Sequence, residues 1–180
     1  MIIGVEGLSK SGKTTFINKW LEKYPDTLRF RGAGAVNIGI QGRWQEYNFW
    51  MHNIIEQFDK LNNHEPIILW DRFITDAVHT EDSLYSSEIF RAMKSHKKKF
   101  IIYIDVPSEW LLHRGSKEGG IDIMEKGREK YLKKVSCFDH VILTPTKETE
   151  CYITDQHVEG VYSHIMSRNN SSKNITNDPY

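Results

Sequence analysis

Gly7-Leu8-Ser9-Lys10-Ser11-Gly12-Lys13-Thr14 fits the pattern G-x-x-x-x-G-K-[ST], and the segments around it decide how the chain folds. Before it, Met1-Ile2-Ile3-Gly4-Val5 is a short apolar run that reads as a buried strand. After it, the residues from Thr15 to Leu21 have helical spacing, with Phe16, Trp20 and Leu21 on one side. A strand, a glycine-rich turn and a helix N-terminus make a phosphate cradle. Backbone N–H groups converge there and the helix dipole favours negative charge. The expected nucleotide-binding residues are Gly7, Ser9, Lys10, Ser11, Gly12, Lys13, Thr14 and Thr15. Within that set the Lys13 ammonium reaches the β/γ-phosphates and the Thr14 hydroxyl helps hold Mg²⁺.

Working outward, the whole chain has the length of one compact domain, 180 residues. Lys plus Arg and Asp plus Glu both number 24, so the net charge is zero and the global pull of a non-specific nucleic-acid binder is absent. The two cysteines, Cys137 and Cys151, form no CxxC pair and read as reduced thiols. No run approaches the roughly 18 apolar residues of a membrane span. The first residues already read as strand and phosphate loop, so no signal peptide is expected and the reading is a cytoplasmic protein.

After the first helix, Tyr24-Pro25-Asp26 is a stop and turn, and Thr27 to Arg31 a second strand. Gly32-Ala33-Gly34-Ala35 is a flexible loop. A helical pattern from about Trp44 to Leu61 carries Tyr47, Trp50, Ile54, Phe58 and Leu61 at steps of three and four. Ile67 to Trp70 is a buried strand closing on Asp71-Arg72-Phe73, and Glu88 to Ser95 a helix capped by Ser87. Lys97-Lys98-Lys99 reads as a solvated helix end. Phe100 to Asp105 is the clearest strand, and Pro107-Ser108 opens a helix to Arg114. A glycine-rich stretch follows, then a helix from about Ile123 to Val135, a strand at His140 to Leu143 and a helix at Val158 to Met166. Strands alternating with helices predict a five-stranded parallel sheet flanked by helices, an α/β fold. Functional loops then gather at the carboxyl edge of the sheet. The domain is expected over residues 1–167, with a short lid near 114–122 and a disordered tail at 168–180.

Asp71 ends an apolar strand, where a carboxylate is placed to hold Mg²⁺. Arg72 beside it points an always-charged fork into the cleft, suited to a phosphate dianion. With these residues the chain resembles the thymidylate kinase branch of the P-loop nucleoside and nucleotide kinases. Glu6-Gly7-Leu8 with Gly12-Lys13-Thr14-Thr15 resembles that family's opening, and Asp71-Arg72-Phe73 its Asp-Arg-Tyr/Phe motif. Asp105-Val106 with Glu109 and Arg114 resembles the helix entering its lid; Glu125, Arg128 and Tyr131 resemble the helix leaving it. The motifs occur in the family's order from Met1 to about Leu143.

The resemblance implies a three-layer P-loop kinase fold and transfer of the γ-phosphoryl group of ATP to a second nucleotide or nucleoside. It assigns ATP and Mg²⁺ to Lys13 and Thr14, with Asp71 on the metal. It assigns the acceptor to Arg72, Phe73 and Arg31, with Tyr47 and Phe49 available to stack on a base. Arg114, with Lys117 or Arg128, would close over the phosphoryl group, and Lys10 stands where some thymidylate kinases carry a catalytic Arg. Related kinases are often dimers, so a homodimer is a further expectation. Ser9 replaces the acid that the family aims at the acceptor sugar, and Met51 falls near the place of its base-reading Arg. These departures lie at the acceptor site and none at the ATP site.

A phosphate acceptor is already ionised, whereas a hydroxyl acceptor needs a general base. Deoxynucleoside kinases resemble one another in placing a Glu after strand two; here that stretch is Arg31-Gly32-Ala33-Gly34. The expected acceptor is therefore a deoxynucleoside monophosphate of the thymidylate type. A hydroxyl acceptor, including a hydroxymethylated base in DNA with Asp71 as base, stays open, as does an NTP-dependent regulator that transfers nothing.

Overall fold

The computed structural model describes residues 1–31, 67–74, 91, 94–95, 99–117, 119–144 and 153–174. The strands are β1 (Ile2–Glu6), β2 (Leu28–Arg31), β3 (Ile68–Asp71), β4 (Lys99–Ile104) and β5 (His140–Leu143). Four helices lie within the described residues, α1 (Lys13–Lys23), α2 (Ser108–His113), α3 (Ile121–Val135) and α4 (Asp155–Asn174), and residues 91 and 94–95 are also helical. All strand pairs are parallel, in the order β2-β3-β1-β4-β5, and helices cover the sheet as the alternation predicts.

The apolar runs explain the sheet. Every residue of β1 is buried, and β4 is buried from Phe100 to Ile104, as strands covered on both faces require. β1 lies at the centre, so the loop leaving it opens at the carboxyl edge between β3 and β4. Val5 pairs with Asp71 and Glu6 with Tyr103, which brings the ends of β3 and β4 to either side of the phosphate loop. Gly4 is needed inside β1 because a Cβ there would stand 2.8 Å from both Ile101 Cδ1 and Phe73 Cβ.

α1 buries Phe16, Ile17 and Trp20 and ends at Lys23, one residue before the Tyr24-Pro25 bond that disfavours helix. Trp20 Nε1 donates to Thr27 Oγ1 at 3.1 Å, fixing the turn into β2. α4 braces α1: Tyr24 and Tyr162 stack at 3.9 Å between ring centroids, and Lys19 meets Asp155 at 2.8 Å. Lys23 also pairs with Glu159. α4 starts earlier than expected, at Asp155, and its backbone is helical to Asn174. No Gly or Pro interrupts residues 161–174, so nothing stops the helix there.

The expected helix at 44–61 and the Gly32–Ala35 loop lie outside the described residues, as do Cys151 and most of the 88–95 helix. Among the described residues no helix is long and apolar enough to cross a membrane.

Candidate active site

Glycine sets the shape of the loop after β1. Gly7 has φ +142° and Gly12 φ +96°, backbone regions that L side chains rarely adopt. A Cβ on Gly7 would stand 2.6 Å from Ser11 Oγ and 2.7 Å from the Ile104 carbonyl, so the cradle closes only around a bare Cα. Lys10, at φ 65°, also takes the left-handed conformation. Gly12 caps α1 with no side-chain hydrogen bond to the first turn, which leaves those N–H groups for an anion.

Lys13 is buried, and its Nζ donates to the Gly7 carbonyl at 2.9 Å, the Leu8 carbonyl at 2.7 Å and Ser11 Oγ at 3.5 Å. The ammonium is thus held inside the loop by carbonyl oxygens that a phosphate oxygen can replace. Beside it opens a cleft of about 420 Å³, lined by Ser9, Lys10, Gly12, Lys13, Thr14, Thr15, Asp71, Arg72, Arg114 and Ile153.

Nine of the predicted site residues therefore share one cavity, drawn from the β1–α1 loop, the end of β3 and the end of α2. Ser11 and Gly7 do not line it: Ser11 is a partner of Lys13, and Gly7 packs its bare Cα against Ser11 and the Ile104 carbonyl. Asp71 is brought there by the β3 register, and its Oδ2 accepts from Arg29 Nη2 at 3.3 Å. Arg72 follows in the left-handed region at φ 69°, its N–H bonded to the Val5 carbonyl at 3.1 Å. Arg114 closes α2 at its C-terminal cap.

Two expectations need correction. Phe73 was expected at the acceptor but is fully buried, packed on Trp70 at 5.1 Å and on Phe138 at 6.4 Å. Its ring fills the core below the cleft, where the absent Gly4 Cβ leaves room. Arg128 was expected to grip a phosphate, yet it does not line the cleft. Its Nε and Nη2 donate to the two Asp105 carboxylate oxygens at 2.5 and 2.7 Å, and its Nη1 to Glu125 Oε2 at 3.2 Å. The hydrogen bonds to Asp105 push its pKa up, more than offsetting partial burial, so the guanidinium stays charged as a bracket. Glu125 also accepts from Ser108 Oγ at 2.5 Å, so this bracket ties the starts of α2 and α3 to the end of β4. Beneath it burial pushes the Tyr103 phenol well up, with Asp105 adding, and the ring stacks on Tyr131 as a neutral core residue.

Arg31 ends β2 opposite Asp71 in the backbone register. Tyr47 and Phe49 lie outside the described residues. The sequence assigns no role to three residues that the structure brings to or beside the site. Ile153 brings an apolar side to the cleft, Arg29 reaches Asp71 from β2, and the buried Glu6 carboxylate accepts from the Ile74 N–H at 2.7 Å. Charged residues in apolar strands were the available signal for the last two.

The residues fit a magnesium nucleotide. A bare-Cα cradle, an uncapped helix start, a buried ammonium, the Thr14 hydroxyl and the Asp71 carboxylate face one space. No group of three or more His, Cys, Asp and Glu gathers among the described residues. Mg²⁺ bound through one or two protein ligands plus substrate phosphates requires none.

Solved structures share this architecture. The YorR protein of Bacillus subtilis, solved with phosphorylated GDP, is 14% identical and superposes with a TM-score of 0.65, over 94% of this chain and 98% of that one. Thymidylate kinase of Candida albicans is 14% identical with a TM-score of 0.59, over 94% and 92% of the two chains. Shikimate kinase of Acinetobacter baumannii, solved with shikimate, is 12% identical with a TM-score of 0.54, over 93% of each. No protein-family model matches the chain, and no curated protein matches its sequence. The fold is that of the P-loop kinases, with thymidylate kinases among its structural neighbours.

Proposed function

We propose that this protein is a cytoplasmic, ATP- and Mg²⁺-dependent nucleotide kinase whose acceptor is a deoxynucleoside monophosphate of the thymidylate type. The observation that carries the reading is the convergence of Lys13, Thr14, Asp71, Arg72 and Arg114 on one cleft at the carboxyl edge of the sheet. Phosphoryl transfer asks the protein for alignment and charge neutralisation, and this set provides both.

The Lys13 Nζ moves from the loop carbonyls to the β/γ-phosphates of ATP, and the bare amides of the loop and of α1 bind the remaining oxygens. Thr14 and Asp71 would hold Mg²⁺, which supplies charge neutralisation between the β- and γ-phosphates. Arg72 grips the acceptor phosphate. An acceptor oxygen bonds to Pγ as the bond from Pγ to the β,γ-bridging oxygen breaks, and ADP carries away the electron pair. No general base is required, because the acceptor phosphate is already ionised. Arg114, with Lys10 across the cleft, covers the charge of the transferring group.

Replacing Arg72 by Ala tests the assignment. With dTMP offered as acceptor, its KM should rise at least tenfold while the KM for ATP stays within twofold. An unchanged acceptor KM would argue for a hydroxyl acceptor instead.

A further inference from the structure

Glu6 is wholly buried at the end of β1 and is not among the residues that line the cleft. Burying a carboxylate is costly unless the structure uses its hydrogen bonds. Its Oε1 accepts from the Ile74 N–H at 2.7 Å. Two residues earlier the Arg72 N–H bonds to the carbonyl of Val5, Glu6's chain neighbour, at 3.1 Å. The end of β1 therefore clamps the Arg72-Phe73-Ile74 turn at both ends.

Between the two bonds Arg72 sits at φ 69°. A non-glycine residue held there persists only when its surroundings over-determine it. Phe73 is locked as well, since the missing Cβ of Gly4 lets its Cβ approach the strand. Left to itself, a turn of this kind relaxes to the ordinary right-handed or extended backbone and swings the Arg72 side chain away.

We infer that Glu6 is a positioning residue for Arg72: its carboxylate holds the turn in the left-handed conformation that aims the guanidinium into the cleft. The inference rests on the proposed role of Arg72 as the acceptor-phosphate ligand. It also makes β1 the common ruler of the site, since the phosphate loop begins at the residue after Glu6.

Two variants of the full chain and two readouts test it. Glu6→Gln keeps a carbonyl oxygen to accept from Ile74; Glu6→Ala removes it. With dTMP as acceptor, Glu6→Ala should raise the acceptor KM at least tenfold with the ATP KM within twofold, and Glu6→Gln should stay within threefold of the parent on both. Amide exchange at Ile74, followed without ligand, should be slow in the parent and in Glu6→Gln and at least a hundredfold faster in Glu6→Ala. A normal acceptor KM in Glu6→Ala, or Glu6→Gln as impaired as Glu6→Ala, overturns the inference. If the parent transfers nothing to dTMP, the functional reading fails, while Ile74 exchange still decides the clamp. If Glu6→Ala does not fold, the parent and Glu6→Gln decide it: fast Ile74 exchange in either contradicts the clamp.

Discussion

Arg29 Nη2 lies 3.3 Å from Asp71 Oδ2, so the carboxylate proposed to hold the metal is shared with a cation from the neighbouring strand. Both side chains are largely buried, at 22% and 16% exposure. On the proposed function, the guanidinium would compete at that oxygen with a Mg²⁺ held by Asp71 and would repel it across a partly desolvated space. Arg29→Met should therefore lower the Mg²⁺ concentration for half-maximal activity at least twofold, at saturating ATP and acceptor. A magnesium activation curve checks this, and a shift upward would show that Arg29 serves the metal site by orienting Asp71.

Gly7→Ala should cripple nucleotide binding. The added Cβ meets the Ile104 carbonyl and Ser11 Oγ at separations real Cβ atoms do not show, at a backbone angle unsuited to alanine. Overpacking and strain of this kind cost about 1–3 kcal/mol in stability. Calorimetric titration with ATP and Mg²⁺ should show affinity down at least tenfold; parent-like affinity would mean the cradle is shaped otherwise.

Arg128→Ala separates a bracket from a ligand. Removing it leaves the Asp105 carboxylate, with an 8% exposed side chain, without its bidentate partner. Breaking a buried pair costs about 3–5 kcal/mol, and the one-third exposure of Arg128 reduces that to about 1–3 kcal/mol. Denaturant unfolding should record that loss with the acceptor KM unchanged. A raised acceptor KM in a stable variant would return Arg128 to the phosphate.

The α1–α4 brace has an acid limit. The hydrogen bond from Lys19, with its charge adding, holds the Asp155 carboxyl below the usual carboxylate range. A carboxyl lowered in the folded state contributes stability above its unfolded pKa and loses it as pH falls through the folded value. Asp155→Asn should be slightly less stable than the parent at neutral pH, and unfolding curves should converge as the pH falls through and below the usual carboxylate range. Added salt should shrink the neutral-pH gap, since the pair is exposed. A gap that persists in acid would point to packing.

Much of this architecture could be read before any coordinates. The cradle was legible because its spacing is imposed by phosphate geometry, and the strands because residues buried on both faces must be continuously apolar. Asp71, Arg72 and Arg114 could be placed because strand and helix ends at one sheet edge must meet. Phe73 could not: an aromatic after a motif looks the same whether it faces a ligand or the core, and only the space over Gly4 decides. Arg128 reads as a lid cation on a charged helix until Asp105, 23 residues earlier, takes two of its three nitrogens. Arg29 and Glu6 were hidden for the same reason, with partners 42 and 68 residues away. A charged residue in an apolar strand signals that a partner exists, but a partner so far along the chain leaves no local pattern that names it.

The most direct measurement incubates the chain with γ-labelled ATP, Mg²⁺ and, in turn, dTMP, dUMP, thymidine and hydroxymethylated DNA. Label should appear in a deoxynucleoside diphosphate and be lost in Lys13→Ala, whose β/γ-phosphates lack their cation. Label on thymidine or DNA but on no mononucleotide, or tight ATP binding with no transfer to any acceptor, would contradict the account.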